Sequence, residues 1–342
     1  MSSGQIVPGS LYIYAPSQGA PIFFTIAYAL SAIGHIWQCL LYKCFRMVWL
    51  QPFCAILFTV GYALRAYQSY GNYMYSTQNL IIFILSQVFI YVCPPLLELA
   101  NYHILGRIFH YVPHLTPLPP GKVMPIFGGL MAVVEALNAL GVALQANPTG
   151  DQQELGKILI LAALALQLCV IVTFVGIAGI FHWRCKQAKI HRRSLPTLLV
   201  TLYISMLLIL IRCIYRLVEH VGNTEVDLDD FETLRALSPL LRHEWFFIVF
   251  EACLMLINSV LWNVFNPGRY LPQDRAVHLA SDGMTETKAN VISDNRPIYV
   301  QITYSVLNTL TFGLLRLCVR PEDEEAYPLT ERSKDSTSDR RT

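Results

Sequence analysis

The feature that most constrains this chain is a series of seven long apolar stretches. A stretch of about twenty mostly apolar residues is long enough to cross the hydrocarbon core of a bilayer as a helix. Helix is the expected conformation because a backbone in lipid must satisfy its own hydrogen bonds. The sequence therefore predicts an all-α, polytopic membrane protein. Its seven transmembrane helices are predicted over Pro21–Leu41, Val48–Ala66, Leu80–Leu105, Val123–Leu144, Gly156–Phe181, Leu195–Leu217 and Trp245–Val264.

The composition agrees with a bilayer environment. Only 14% of the 342 residues are charged, whereas soluble domains carry roughly a quarter of their residues as charged side chains. The formal net charge is +2, and the basic residues are spread over the loops. A nucleic-acid partner would normally need a concentrated basic face, so the sequence argues against one.

The charge of the loops predicts the orientation. Nine basic residues fall in the loops after the first, third and fifth stretches, namely Lys43, Arg46, Arg107, Lys122, Arg184, Lys186, Lys189, Arg192 and Arg193. The intervening loops contain only Arg235 and Arg242. Loops rich in Lys and Arg stay in the cytosol. We therefore expect the N-terminus outside and the C-terminus inside.

This orientation divides the chain into three parts. A short extracellular segment covers 1–20, the transmembrane domain covers 21–271, and a largely disordered cytosolic tail covers 272–342. Within the tail, 298–315 carries no charge but is rich in polar residues. Whether that weakly apolar segment enters the membrane is left open.

Ionisable side chains cluster in the sixth and seventh stretches. Arg212, Arg216 and Glu219 share one helix face, and Glu244 and Glu251 share another. Arg212 lies seven residues from Glu219, as Glu251 does from Glu244, so each is roughly 10 Å deep. The spacing predicts that Arg212 meets Glu251 and Arg216 meets Glu244.

The roles of these residues have alternatives. Arg65, in the outer part of the second stretch, can join the charged cluster. Such a cluster can receive a lipid head group, or it can only hold helices together. Deeper in the membrane, Glu98 and Glu135 can relay a proton or hydrogen-bond a neighbouring helix. Pro94-Pro95 predicts a kink in the third stretch, either as a hinge or as a packed bend.

Several other classes of protein are disfavoured. A zinc hydrolase needs several intramembrane histidines, and only His35 lies well inside a stretch, so no metal or other cofactor is expected. We expect no disulfide framework from the nine cysteines and no ATP-binding loop. Asn266–Tyr270 weakly matches the NPxxY pattern of seven-helix receptors. A lipid-sensing receptor that signals through cytosolic protein partners therefore remains the alternative function.

A series of short motifs runs through residues 12–271. They are Tyr14–Ser17, Gly61-Tyr62, Arg65, Ala100, Tyr102, Leu105–Ile108, Gln167, Phe181–Arg184, Ile211–Glu219, Gly222, His243–Phe247, Phe250-Glu251 and Pro267-Gly268. This set resembles the fungal lipid-translocating exporter family, whose founding members confer resistance to aminocholesterol and related toxic amphiphiles. Ile211–Glu219 is the most specific stretch.

The chain departs from the family pattern at several places. Phe58–Val60 lacks the carboxylate that often precedes the Gly-Tyr pair, and Glu251 replaces a common Asp. Asn266 stands where His is common, and Glu135 and Asn138 occupy the region of a usual Asp and Gln. These differences indicate a side branch and leave the substrate open.

The resemblance implies a non-enzymatic membrane protein that moves or senses amphiphiles such as sphingoid long-chain bases or sterol-like toxins. The leading hypothesis is export of such amphiphiles, with resistance as the result, at the plasma membrane or an internal membrane. A cationic amphiphile would suit the three outer glutamates, and an anionic one would suit the arginines. The candidate residues for substrate binding or gating are Arg65, Arg212, Tyr215, Arg216, Glu219, Glu244 and Glu251, with Glu98 and Glu135 as further intramembrane candidates.

Overall fold

The computed structural model describes residues 7, 9–145, 152–190, 192, 194–221, 239–274, 277–280 and 285–288, with the isolated positions 303, 307 and 311. Most of these residues are helical. The helices are α1 (Gly19–Leu41), α2 (Phe45–Val48), α3 (Leu50–Ser69), α4 (Thr77–Tyr111), α5 (Pro120–Gln145), α6 (Gln153–Gln187), α7 (Ser194–Val221), α8 (Pro239–Arg242), α9 (Glu244–Phe247) and α10 (Leu254–Val264). A π-helical turn, Ile248–Cys253, joins α9 to α10. Short 3-10 turns occupy Pro113–Leu115 and Pro267–Arg269.

The long helices pack as a closed ring in chain order. Successive contacts join α1, α3, α4, α5, α6, α7 and α10, and α10 packs back onto α1. Across the ring, α4 also touches α7. We call the end at which α1 begins and α7 ends the N-terminal face, and the opposite end the C-terminal face.

Six helical segments are long and apolar enough to cross a membrane, namely α1, α4, α5, α6, α7 and the segment Glu244–Arg269. Their outward side chains are large and apolar, as with Leu30 at 65% exposure and Trp37 at 63%. Contiguous apolar surface of this kind requires lipid around it. The described chain is therefore an all-α polytopic membrane protein, as the sequence predicted.

The second predicted stretch, α3, does not reach the same apolar level. Its polar side chains Gln51, Arg65, Gln68 and Ser69 are all buried. The helix lies between α1 and α4, so these side chains face the interior of the bundle. The polar side chains of α3 thus make contacts inside the bundle, which explains why this helix is less apolar than the others.

Local signals explain the course of α4. Ser76 caps its start, since the Ser76 hydroxyl accepts a hydrogen bond from the backbone N–H of Asn79 at 3.2 Å. The helix then continues through Pro94 and Pro95 to Tyr111. Helices in a bundle tolerate such prolines because neighbours satisfy the freed backbone groups.

Two glycines bring α5 and α6 into close contact. A Cβ at Gly156 would lie 2.7 Å from the carbonyl oxygen of Gly141, and a Cβ at Gly141 would lie 2.7 Å from Ile160 Cγ1. Real Cβ atoms do not approach other atoms this closely, so both positions require glycine. Small residues at helix contacts are a common means of packing in membranes.

Substituting alanine for Gly156 is therefore expected to separate α5 from α6. Overpacking of this kind costs about 1–3 kcal/mol and lowers the melting temperature by several degrees. Thermal unfolding of the purified protein measures the effect. Gly176→Ala is the matched control in α6, because a Cβ there meets nothing within 4 Å. Equal melting temperatures for the two variants would contradict the close contact.

A small β-hairpin covers part of the C-terminal face. Strand β1 (Val277–Leu279) pairs antiparallel with β2 (Glu286–Lys288). The Tyr111 hydroxyl donates to Glu286 at 2.9 Å, and Arg192 forms an ion pair with the same carboxylate at 2.8 Å. The sequence did not predict these strands. Beyond 272–274, 277–280 and 285–288, the predicted tail, including 298–315 apart from its three isolated positions, lies outside the described residues.

Candidate functional site

The predicted contact between Arg212 and Glu251 is present between α7 and the π-helical turn. Arg212 Nε lies 2.9 and 3.0 Å from the two carboxylate oxygens of Glu251. Glu251 is fully buried and Arg212 is 5% exposed. Glu251 lies in the π-helical turn, a local widening of the helix that is frequent at functional sites.

The predicted contact between Arg216 and Glu244 is not formed, because each side chain has another partner. Arg216 Nη1 donates to Glu219 at 2.5 Å, one turn further along α7. The Arg216 guanidinium also lies 4.3 Å from the centre of the Tyr91 ring. This turn of α7 thus balances its own charge.

Glu244 is paired with Arg65 instead. Arg65 Nη2 lies 3.4 Å from Glu244 Oε1 and donates to the Tyr14 hydroxyl at 3.0 Å. The guanidinium lies 4.3 Å from the centre of the Phe247 ring. The second Glu244 oxygen accepts from the backbone N–H of Ser17 at 2.9 Å. Arg65 and Glu244 therefore anchor the segment that precedes α1.

We call that segment, residues 9–17, the N-terminal strap. The Tyr12 hydroxyl donates to Gln68, and its ring packs edge-on against Phe83. The backbone N–H of Leu11 donates to the Tyr73 carbonyl at 3.0 Å. The strap thus binds the loop between α3 and α4 and lies over the N-terminal face.

Burial changes the acidity of a strap tyrosine. Desolvation raises the pKa of Tyr12 to about 12, and the Arg65 guanidinium opposes this rise. The unfolded phenol ionises near 10. A raised folded pKa means that the contribution to stability is complete below about pH 10 and is lost as the pH rises towards 12.

We therefore expect the Tyr12 phenol to ionise near pH 12 in the folded protein. Tyrosinate absorbance during an alkaline titration, compared between the wild type and Tyr12→Phe, measures this pKa. Tyr75→Phe is the control, because Tyr75 is exposed in the neighbouring loop. A difference spectrum that titrates near pH 10 would show that the strap does not bury Tyr12.

A cleft opens between α4, α5, α6 and α7 beside the Arg212 ion pair. Its cavity volume is about 40 Å³, and the cleft is partly open to its surroundings. Its lining combines apolar and ionisable side chains, namely Tyr91, Pro95, Val134, Glu135, Asn138, Ile160, Ala163, Leu164, Gln167, Arg212, Arg216 and His220. Ionisable residues at this depth are costly and mark functional sites.

The two deeper glutamates differ in their surroundings. Glu98 is fully buried, where it accepts hydrogen bonds from Tyr102 and, at 2.8 Å, from Gln167. Glu135 is half-buried on the wall of the cleft and hydrogen-bonds Asn138. Within the described ranges, no ion pair includes Glu135. Glu98 is therefore a satisfied core residue, whereas Glu135 is available to a ligand.

Tyr215 lies outside the cleft. Its ring stacks on Phe250 with 5.3 Å between ring centres, which packs α7 against the π-helical turn. The sequence did not single out Tyr91 or Asn138 as lining residues, because only their place beside the arginines reveals them. In the part of the chain that the structure describes, no group of His, Cys, Asp or Glu could hold a metal ion.

A closed ring of apolar helices with ion pairs in its interior defines an all-α polytopic membrane protein. The chain belongs to the RTA1 like protein family, whose sequence profile matches residues 52–274. No solved structure matches the chain.

Three fungal proteins illustrate the relationship. "Lipid-translocating exporter-like protein RTA1" of Leptosphaeria maculans is 53% identical over 90% of this chain and 60% of its own length. The protein of the same description from Ajellomyces capsulatus is 29% identical, over 72% of this chain and 77% of its own. "Probable lipid transporter atnI" of Emericella nidulans is 25% identical, over 79% and 71%. This chain thus spans less than two thirds of the Leptosphaeria relative.

Proposed function

We propose that this protein translocates amphiphilic lipids or toxic amphiphiles across a membrane and so confers resistance to them. The observation that carries the proposal is the cleft, whose lining includes Glu135, Arg212 and Arg216 from helices long and apolar enough to cross a membrane. The descriptions of the relatives as lipid-translocating exporter-like proteins support the same activity. Sphingoid long-chain bases and sterol-like compounds are the substrate classes that we propose to test first.

The physical problem of such transport is the head group. Moving a charged head group into the hydrocarbon core costs several kcal/mol or more, whereas the apolar tail is soluble in that core. A polar cleft between helices lowers that cost if it offers hydrogen bonds to the head group and leaves the tail in lipid. The open side of the cleft is compatible with this division.

Further buried polar groups lie outside the cleft, on α3 and α10. Among the described side chains, both polar atoms of Gln51 and of Asn258 are buried without a hydrogen-bond partner. A buried amide without a hydrogen-bond partner costs about 1–3 kcal/mol of stability, so such a group in a folded protein usually has a functional explanation. We propose that these amides bind water or the head group on its way through the ring.

In this proposal, α3 is the seventh span. It has 20 residues, which at about 1.5 Å per residue reach roughly 30 Å, and its polar side chains face inward. The loop charges then support an external N-terminus and a cytosolic C-terminus. As the location we propose the plasma membrane.

Liposomes that contain only the purified protein test the function. Transbilayer movement of a fluorescent sphingoid base and a fluorescent phospholipid is followed by quenching of the outer leaflet. At least one probe is expected to move about tenfold faster than in empty liposomes, and Arg212→Ala is expected to abolish the increase.

Arg107→Ala is the matched control for that variant. Arg107 is also a buried arginine, but it lies at the C-terminal face and donates to the Pro272 carbonyl at 2.9 Å. Movement lost in both variants would indicate general damage. Saturable binding without movement of either probe would contradict translocation and favour a lipid-sensing receptor.

A further inference from the structure

The charges on the cleft wall are arranged by sign. Arg212 and Arg216 come from α7, whereas Glu135 comes from α5 on another side. The carboxylates of the outer cluster are already bound, because Glu219, Glu244 and Glu251 each contact an arginine. Glu135, one of the two deeper glutamates, lines the cleft and has no ion-pair partner among the described residues, so it is the carboxylate that remains for a ligand.

The arginines keep hydrogen-bond donors for a ligand as well. In the described chain, both hydrogen bonds of Arg212 start at Nε, and the bond from Arg216 to Glu219 starts at Nη1. The other N–H groups of these guanidiniums can donate to an anionic oxygen, and guanidinium groups suit phosphate well. The neutral amides Asn138 and Gln167 also line the cleft.

A head group with only a positive charge, or with only a negative charge, cannot pair with all the charged side chains that line the cleft. An ammonium group would bind Glu135 but would face two guanidiniums whose donors remain unused. A phosphate alone would bind the arginines but would be repelled by Glu135. We infer that the cleft selects amphiphiles whose head group carries both signs, with an ammonium on Glu135 and a phosphate on Arg212 and Arg216. This inference rests on the proposed function and specifies its substrate class.

Three probes built on one fluorescent sphingoid backbone test this inference in the same liposomes. The free base is a cation, its phosphate ester carries both signs, and the phosphate ester with an acylated amine is an anion. The phosphate ester with a free amine is expected to move at least about tenfold faster than the other two, since charged hydrogen bonds of this kind are each worth a factor of ten or more.

Glu135→Gln tests the ammonium contact. This variant is expected to slow the phosphate ester with a free amine about tenfold, to the rate of the phosphate ester with an acylated amine. The rate of the acylated compound itself should not fall. Glu154→Gln is the matched control, because Glu154 is an exposed carboxylate at the start of α6. Its transport rates should equal those of the wild type.

The outcomes separate the inference from the function on which it rests. If the free base or the acylated phosphate moves fastest in the wild-type protein, the inference is wrong and translocation stands. If the phosphate ester with a free amine is fastest but Glu135→Gln does not slow it, the assignment of Glu135 is wrong. If no probe moves, the proposed function itself fails. The comparison of probes in the wild type does not depend on the stability of any variant.

Discussion

Replacing Glu251 by glutamine is expected to destabilise the protein by about 3–5 kcal/mol, because it removes the charge of the one carboxylate that directly contacts the buried Arg212 guanidinium in the described chain. The carboxylate is fully buried, and Arg212 Nε contacts both of its oxygens. Because this position is fully buried, bulk water cannot take the place of the lost carboxylate. The melting temperature of the purified protein should fall by about 10 °C. The exposed control Glu154→Gln should leave it unchanged.

The double variant Arg212→Met, Glu251→Leu separates stability from function. Replacement of both charges by apolar side chains of similar volume is often neutral or stabilising, so the melting temperature should return to within a few degrees of the wild type. Transport should remain absent, because the cleft has lost a guanidinium. Full transport by the double variant would show that the ion pair only holds α7 to the π-helical turn. An unchanged melting temperature in Glu251→Gln would contradict the buried contact.

Replacing Arg65 by alanine is expected to release the N-terminal strap. Arg65 binds Glu244 and Tyr14, and its guanidinium lies against the rings of Tyr12 and Phe247. Its removal leaves Glu244 buried with one backbone donor, from Ser17. The expected cost is about 3 kcal/mol or more.

Hydrogen exchange of the strap measures this release. The amides of Leu11 and Tyr75 donate to carbonyls across the strap and the neighbouring loop, at 3.0 and 2.9 Å. In Arg65→Ala they should exchange about 100-fold faster, which corresponds to a loss of local stability of this size. Tyr14→Phe removes only one hydrogen bond and should give a smaller increase. Arg107→Ala, at the opposite face, should give none; an equal increase there would indicate global loosening.

The helices follow largely from the sequence, because the length of an apolar stretch is dictated by the bilayer. The predicted stretches Pro21–Leu41 and Val123–Leu144 lie within α1 and α5, and their bounds are off by a few residues. The predictions were weakest where helices extend beyond the hydrocarbon core. Thus α4 and α6 each run for 35 residues, well past Leu80–Leu105 and Gly156–Phe181. Hydropathy does not report on such polar extensions.

The candidate site was predicted unevenly. Helix periodicity and depth were sufficient for the contact between Arg212 and Glu251, since Arg212 lies seven residues from Glu219 and Glu251 lies seven from Glu244. The same argument gave the wrong partner for Arg216. Spacing along one helix allows Glu219 as well as a residue across the interface, and only side-chain packing decides between them.

By itself, the sequence determined that this chain is a helical membrane protein of the RTA1-like family with ionisable residues in its spans, because lipid permits little other backbone structure. The tertiary structure decided which charges neutralise each other. It brought Arg65, Tyr14 and Glu244 together over the N-terminal face, and it left Glu135 opposite two arginines in a cleft. These contacts join residues that are far apart in the chain. The order of the helices around the ring sets the distances between them, and a local sequence pattern carries no information about that order.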